Sequence, residues 1–271
     1  MFQPSKAVFY FCVVATAAFL LYPLYVLFLI SFSPVQYTLN SPNPPQWPVS
    51  FTLQNLANAV RNTDLIDPMM RSLITALLVA TISLIIGIPA AYGLSKVPTR
   101  LANTLSTFLF MVNMLPALVI AIPIGVQFIS FRLYDTIPGL ALAQELVALP
   151  LTVFVLLGAF QNLPADLENQ ARVDGAGMLR ALFTILVPIS KAAVAASFLL
   201  AWMVSWDEFT FAVILSPIHQ TLPIIIWTNI TRGDILASSA FALVLTLPVV
   251  VLTILLQRYL KGEYLSGGMH G

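Results

Sequence analysis

The sequence predicts an all-α polytopic membrane protein with six spanning helices and both termini in the cytoplasm, and three observations carry that expectation. The first is charge. The 271 residues include 12 Lys and Arg and 11 Asp and Glu, only 8% of the chain, where a soluble domain carries about 25%. The second is hydropathy. Hydrophobic residues make up 59% and the mean hydropathy is +0.93, so a soluble globular enzyme could not cover its surface with polar groups. The same wealth of Leu, Ile, Val and Phe excludes disorder. The third is where charge is missing. No Asp, Glu, Lys or Arg occurs from Ala7 to Val60, Ser72 to Ser95, Leu101 to Phe131, Leu146 to Ala165, Phe209 to Thr231, or Ile235 to Gln257. Each stretch reaches the roughly 20 apolar residues that a spanning helix needs. None alternates as the strands of a membrane barrel would.

Taken in order, the expected spans are about 8–32, 71–95, 104–130, 137–160, 192–215 and 236–258. The first follows Lys6 and exceeds the 7–15 residues, roughly, of a signal-peptide core, so it reads as a retained helix. An outer loop over roughly 33–70 follows. Pro34, Pro42, Pro44, Pro45 and Pro48 make it extended or turn-rich at first, and Thr52–Val60 then has the apolar spacing of a surface helix. With the amino terminus inside, the inner segments hold Lys6, Lys96, Arg100, Arg172, Arg180, Lys191, Arg258 and Lys261. The outer ones hold Arg61, Arg71, Arg132 and Arg232. This bias agrees with the excess of basic residues on the cytoplasmic side of membrane proteins, and six spans require both ends on that side. The division expected is a first helix with its outer loop over 1–66, a five-helix transmembrane domain over 67–258 and a cytoplasmic tail over 259–271.

Several chemistries are absent from the sequence. No basic stretch suits nucleic acid. The single Cys12 lies in an apolar run as a small filler, so neither a disulfide framework nor a thiolate metal site is expected. His219 and His270 read as ordinary loop residues. No H-E-x-x-H, G-x-S-x-G or pair of spans with one Asp each points to an intramembrane hydrolase, so no catalytic residue is assigned. Nor is there a G-x-x-x-x-G-K-[ST] phosphate loop, so the chain is not expected to hydrolyse ATP by that route.

The only long inner segment, about 161–191, is patterned as a helix-turn-helix. Pro164 suits a first helical turn, and Asp166 and Glu168 fall where the helix dipole favours acids. Leu163, Leu167 and Ala171 recur at four-residue spacing. Gly175 and Gly177 then stop the helix, since glycine tolerates a left-handed cap. A second short helix is expected from Met178 to Val187, ending at Pro188.

This segment resembles the EAA loop of binding-protein-dependent ABC importer permeases, which reads E-A-A, three residues, G, nine residues, I, one residue, L-P. Gly175, Ile185 and Pro188 fall at the required spacings, Ala171 takes the second alanine, and Val187 stands for the Leu. Asn169 occupies the Glu position and Gln170 the first Ala. Glu168 is one residue away, which turns its side chain by about 100° on a helix. Further pieces are similar to the maltose-type, MalG-like carbohydrate group: Asn113-Met-Leu-Pro116, Leu133-Tyr-Asp-Thr-Ile-Pro-Gly-Leu140, Ala201-Trp-Met-Val-Ser-Trp-Asp-Glu-Phe209 and the Gly-rich tail from Leu265. The likeness covers most of residues 65–271.

The resemblance implies the transmembrane domain of a type I ABC importer in a prokaryotic cell membrane. It would work with a second, MalF-like permease subunit, two cytoplasmic ATP-binding subunits that hold ATP and Mg, and an external solute-binding protein. No cofactor would sit on this chain. Leu167, Glu168, Asn169, Ala171, Asp174 and Gly175 would form the joint to the ATPase.

The intramembrane acids are the other candidates. Glu145 lies eight residues into the fourth span from outside, about 12 Å at 1.5 Å per residue. Asp207 and Glu208 lie at a similar depth in the fifth. Acids at this level face a cavity or a partner, so with Asn113 and Trp206 they are the expected lining of a solute path. Trp202 and Trp206 at four-residue spacing would stack on a sugar or on neighbouring helices. Two alternatives remain open: an ABC permease for a polyamine-like cation, drawn by the three acids, and an ion-coupled secondary transporter.

Overall fold

In the computed structural model, residues 6–38, 46–62 and 65–266 are described, and among them every regular element is helical. Helix α1 covers Lys6–Phe32 and a short α2 covers Val35–Thr38. They are followed by α3 (Gln54–Asn62), α4 (Ile66–Ser95), α5 (Thr99–Met111), a 3₁₀ turn (Val112–Met114), α6 (Ala117–Ser130) and α7 (Ile137–Gln161). The inner segment holds α8 (Ala165–Val173), α9 (Met178–Ala181), a π turn (Leu182–Leu186) and α10 (Val187–Ile189). Last come α11 (Lys191–Trp206), α12 (Thr210–Leu215), α13 (Leu222–Thr231) and α14 (Ile235–Ser266). Pro42, Pro44, Pro45, His270 and most of the Gly-rich tail lie outside the described residues.

Among the described residues, four single helices have the length and apolarity to cross a membrane: Val8–Phe32, Ile66–Ser95, Ile137–Gln161 and Ile235–Gln257. Two further spans become available if each bent pair counts as one. One pair is Thr99–Met114 with Ala117–Ser130, bent by 87°, and the other is Met178–Ile189 with Lys191–Trp206, bent by 84°. The third expected span, 104–130, is therefore a broken helix rather than a straight one. Its break follows from Pro116, which has no N–H to donate and drives the preceding Leu115 out of the helical region to φ −76, ψ 136. The fifth, 192–215, is interrupted between Trp206 and Thr210, and α13 occupies a stretch expected to be loop.

The chain forms two compact units. One comprises Met1–Asp67 with Ile225–Pro248. Here α3 is the surface helix expected near Thr52–Val60, and its Asn55 is buried, donating to the carbonyls of Ser33 (2.7 Å) and Ile30 (3.3 Å) at the end of α1. Phe28, Phe32 and Phe51 form a ring ladder, with Phe32 stacked on Phe51 at 4.9 Å. Asp234 starts α14 by accepting from the Ala237 amide at 2.9 Å.

The other unit comprises Pro68–Ile224 with Val249–Gly271. Helix α7 lies at its centre, with 61% of its apolar window buried. It packs along α11 and also against α5, α6 and α12. It meets α4 closely at Gly87, where an added Cβ would come within 2.8 Å of Thr152 Cγ2. Small residues allow such close helix approach in membranes. The turn before α7 explains the Leu133–Leu140 pattern. Thr136 Oγ1 accepts from the Gly139 amide at 3.1 Å, a proline follows at the second helical position, and Gly139 leaves no room for a side chain against the Leu133 carbonyl. Apolar clusters hold the unit, two of them among the described residues. Ile88, Tyr92, Leu156, Phe160, Leu182 and Leu186 belong to the first, and Leu140, Phe211, Leu215 and Ile224 to the second.

Candidate functional site

The inner segment is built on a helix too short to stand alone, since nine residues fall below the roughly 12–15 at which an isolated helix becomes even marginal. It is finished at its carboxyl end by a complete Schellman cap. The Ala176 amide donates to Ala171 O at 2.9 Å and the Gly175 amide to Arg172 O at 3.0 Å. Gly175 adopts φ +82, the left-handed conformation that the cap requires. The expected stop at glycine is thus a specific geometry. Gly177 has an ordinary negative φ.

The second inner helix continues past Pro188 instead of ending there. A π turn precedes the proline, with the Val187 amide donating to Leu182 O. This widened turn removes the clash that a proline ring makes with the carbonyl four residues back. The chain bends at Ser190 and enters α11.

On α8, Glu168 is buried at 6% exposure and Ala171 at 4%, and Leu167 is half-buried. Asn169, Gln170, Val173, Asp174 and Gly175 are exposed. The outward face of α8 is therefore made by Asn169, Gln170, Val173 and Asp174, whereas Ala171 and Glu168 are turned into the chain. The Glu168 carboxylate accepts from Tyr92 Oη at 2.8 Å and from Arg172 Nη2 at 2.7 Å, and it is paired directly with Lys96 Nζ. Lys96 also lies over the Tyr92 ring, 4.8 Å from its centroid. Burial pushes the Glu168 carboxyl up, but hydrogen bonds from Lys96 and Tyr92, with the charges of Lys96 and Arg172, outweigh it. The group is held below the usual carboxylate range.

The three intramembrane acids occupy different environments. Glu145 is buried at 8% exposure, and its Oε2 accepts from Ser83 Oγ on α4 at 2.7 Å. Its Oε1 has no hydrogen-bond partner among the described residues. Glu208 caps the first turn of α12, accepting from the amides of Phe211 (2.7 Å) and Ala212 (3.1 Å). Gln144 Nε2 reaches the same carboxylate at 3.3 Å, while its Oε1 accepts from Ser205 Oγ. Of two successive residues on α7, Gln144 thus reaches Glu208 and Glu145 reaches Ser83 on α4. Asp207 ends α11 and is exposed.

Trp202 and Trp206 are buried and stacked on each other, with centroids 4.9 Å apart. Asn113 sits in the 3₁₀ turn at the break of the third span, with a buried Oδ1 that has no hydrogen-bond partner among the described residues.

Two features lay beyond the sequence expectations. A cavity of about 760 Å³ lies between α5 and α7; its lining is mainly apolar, from Phe110, Phe154, Val155 and Leu157, with the neutral polar side chains Asn103, Ser106, Thr107 and Gln161. The two rings meet edge to face at 5.2 Å. Elsewhere, at the outer end of α4, Arg71 donates to Ser216 Oγ (2.9 Å) and to the Asp135 carbonyl (2.8 Å). The Asp135 carboxylate lies 2.6 Å from His219 Nδ1. Burial raises the Asp135 carboxyl, and its bonds to His219 with the Arg71 charge bring it below its ordinary value. For the contacts of Glu145 and Glu208, the available signals were Ser83, a polar residue inside a charge-free stretch, and Gln144 beside Glu145. For the contacts of Glu168, the signal was Tyr92 and Lys96, one helical turn apart at the inner end of α4.

Comparison with known proteins agrees with this architecture. The family model described as "Binding-protein-dependent transport system inner membrane component" matches residues 83–263. The inner membrane ABC transporter permease protein YcjP of Escherichia coli is 26% identical over 257 residues, covering 93% of this chain and 91% of that protein. The trehalose/maltose transport system permease protein MalG of Thermococcus litoralis is 26% identical over 261 residues, covering 93% and 92%. Among solved structures, a bacterial ABC transporter involved in import of the acidic polysaccharide alginate superposes with a TM-score of 0.71. It is 19% identical, and the match covers 96% of this chain and 99% of that one.

Proposed function

We propose that this chain, which belongs to the binding-protein-dependent transport system inner membrane component family, is one of two permease subunits of an ATP-driven carbohydrate importer. It is a multi-pass membrane protein and a transport component. In the prokaryotic cell membrane it pairs with a second permease and rests on two ATP-binding subunits, and it receives solute from an external binding protein. ATP and Mg belong to the partner ATPase. The joint to that ATPase is α8, presenting Asn169, Gln170 and Val173 and ending in the Gly175 cap.

The observation that carries the substrate class beyond family membership is the chemistry of the cavity between α5 and α7. Its lining is mainly apolar, with an aromatic pair, a few amide and hydroxyl groups and no charge. This set suits a neutral polyhydroxylated solute, because hydroxyls exchange hydrogen bonds with amides and the apolar faces of a sugar ring lie on aromatic rings. A polyamine-like cation would want free carboxylates in the membrane. Glu208 is engaged as a helix cap and one oxygen of Glu145 by Ser83, leaving Asp207 as the one exposed acid of the three. The name of the Thermococcus litoralis relative, a trehalose/maltose permease, supports the same reading.

Alternating access follows if closure of the ATPases moves α8 and the helices fastened to it as rigid bodies. The test is reconstitution of the complete complex in vesicles with its binding protein. Uptake of labelled oligosaccharide should depend on ATP and be unaffected by excess polyamine. Uptake by this chain alone, driven by a proton gradient, would refute the importer reading, and competition by polyamine would refute the substrate class.

A further inference from the structure

We propose that Glu168 is a positioning residue that fastens the coupling helix to the transmembrane helices of its own chain, through Lys96 and Tyr92, rather than a contact to the ATPase. This rests on the importer reading and concerns how the inner joint transmits movement. Sequence alone leaves Glu168 ambiguous, because it sits beside the position where the EAA pattern has its acid.

The geometry separates the two positions. Asn169 points outward, whereas Glu168 is 6% exposed and faces the end of α4. A carboxylate taken out of water is strongly unfavourable unless it is paired and hydrogen-bonded. Here it has two cations, Lys96 and Arg172, and the Tyr92 hydroxyl. Arg172 is on α8 itself, so that pair stiffens the helix but joins it to nothing. Lys96 and Tyr92 are different: both belong to the inner end of the second span.

Tyr92 makes the connection mechanical. It is 2% exposed and meets Phe160 of α7 edge to face, with ring centroids 6.4 Å apart. The cluster around it contains Ala102 of α5 and Leu182 and Leu186 of the second inner helix. One carboxylate therefore ties α8 to a core shared by α4, α5 and α7. Charge-assisted hydrogen bonds suit this task because they fix direction as well as distance. The apolar contacts of Ala171 and Leu167 would let a nine-residue helix slide or roll. A push on α8 is delivered to the second span through Glu168 and to the fourth through Tyr92 and Phe160.

The experiment uses the complete complex in vesicles and compares Glu168→Gln, Lys96→Met, Lys96→Arg and Tyr92→Phe with the unaltered chain. Three quantities are read: ATPase co-purification, ATP hydrolysis, and solute taken up per ATP hydrolysed. The expected result is that the ATPase stays attached in all four. Uptake per ATP should fall about tenfold in Glu168→Gln and Lys96→Met, because either change leaves the buried Glu168 position without its charged link to the exposed Lys96. It should fall less in Tyr92→Phe and be retained in Lys96→Arg. Lys96 lies just past the inner end of α4 and outside α8, so its loss uncouples only if the tether is real.

Loss of the ATPase from Glu168→Gln with normal uptake per ATP in Lys96→Met would overturn the proposal and make Glu168 a direct docking contact. Unchanged uptake per ATP in Glu168→Gln and Tyr92→Phe would overturn it as well. Tyr92→Phe removes one oxygen and keeps the packing, so the test stands even if a charge variant fails to assemble. Absence of any ATPase from the unaltered chain is a separate result that overturns the importer reading itself.

Discussion

Replacing Gly175 probes the joint directly, and the structure sets the size of the effect. Its φ is +82 and an added Cβ would have no atom within 4 Å. The penalty for a side chain is therefore conformational and not steric. An L-residue in the left-handed region costs about 1–2 kcal/mol, from which reduced freedom of the unfolded chain returns about 0.4–1. Gly175→Ala should thus weaken the cap by about 1 kcal/mol, close to a fivefold shift in the local opening equilibrium. Gly175→Asn should cost less, because asparagine tolerates that conformation. Gly175→Leu should match Gly175→Ala in the isolated chain, since the space is open. In the assembled complex, a leucine should be worse than an alanine, because only a partner's groove could sense its size. The assay is hydrogen exchange at the Ala176 amide, which donates to Ala171 O, in the chain alone and in the complex, beside solute-stimulated ATP hydrolysis. Equal exchange in Ala and native chains would refute the strained cap. Equal hydrolysis by Ala and Leu complexes would refute the placing of Gly175 against the ATPase.

Further outcomes follow from other contacts. Gly139→Ala should destabilise the detergent-solubilised chain by at least about 2 kcal/mol on thermal unfolding, since its Cβ would fall 2.0 Å from the Leu133 carbonyl oxygen; native stability would refute the turn geometry. Glu208→Ala removes the cap of α12 and should cost about 1 kcal/mol, whereas Asp207→Asn should leave the melting unchanged and impair uptake. The reverse pattern would make Asp207 the structural acid. Glu168 and Asp135 are both held below their ordinary values, so their stabilisation is fully present above about pH 4–4.5 and is lost only as pH falls through the depressed values. Protection of α8 amides should be constant from neutral pH to about 5 and decline only below about 4, and a decline already at pH 6 would refute the pairing.

Spans, inner helix and glycine stop were legible because each rests on a local rule. Twenty uncharged apolar residues, a proline in a first turn and a glycine at a carboxyl cap declare themselves without reference to distant chain. The break in the third span was also written locally, in Leu115-Pro116, but it was overruled by the length of the apolar run. Hydropathy counts residues and is indifferent to whether their axis bends by 87°. The same blindness hid α13, a ten-residue helix too short to register as a span. What could not be read was the partner of each acid. Equal depth suggested that Glu145, Asp207 and Glu208 share one role, yet depth is a coordinate along a helix and role depends on the angle around it. At Glu208 the backbone turns and offers two free amides, and a carboxylate three residues earlier is drawn to them. At Glu145 the helix continues, and the side chain finds Ser83 across the interface.

A step of one residue produces the same divergence at the inner joint. Glu168 and Asn169 differ by about 100° around α8, so one faces Tyr92 and Lys96 while the other faces outward. The resemblance placed the expected ionic contact at Asn169 because it compares positions along the chain. Burial reverses the emphasis: the acid stands where it pairs with Lys96 and accepts from the buried Tyr92 hydroxyl, and the outward position carries a neutral amide. A joint built this way keeps its strong, directional bonds inside the subunit and meets its partner through Asn169, Gln170 and Val173. Attachment to the partner and transmission to the spans are then separable properties of one nine-residue helix. Asn169→Ala should accordingly perturb attachment mildly and leave uptake per ATP unchanged, while Glu168→Gln does the opposite; measured on the same complex, loss of both properties together in either variant would contradict the separation.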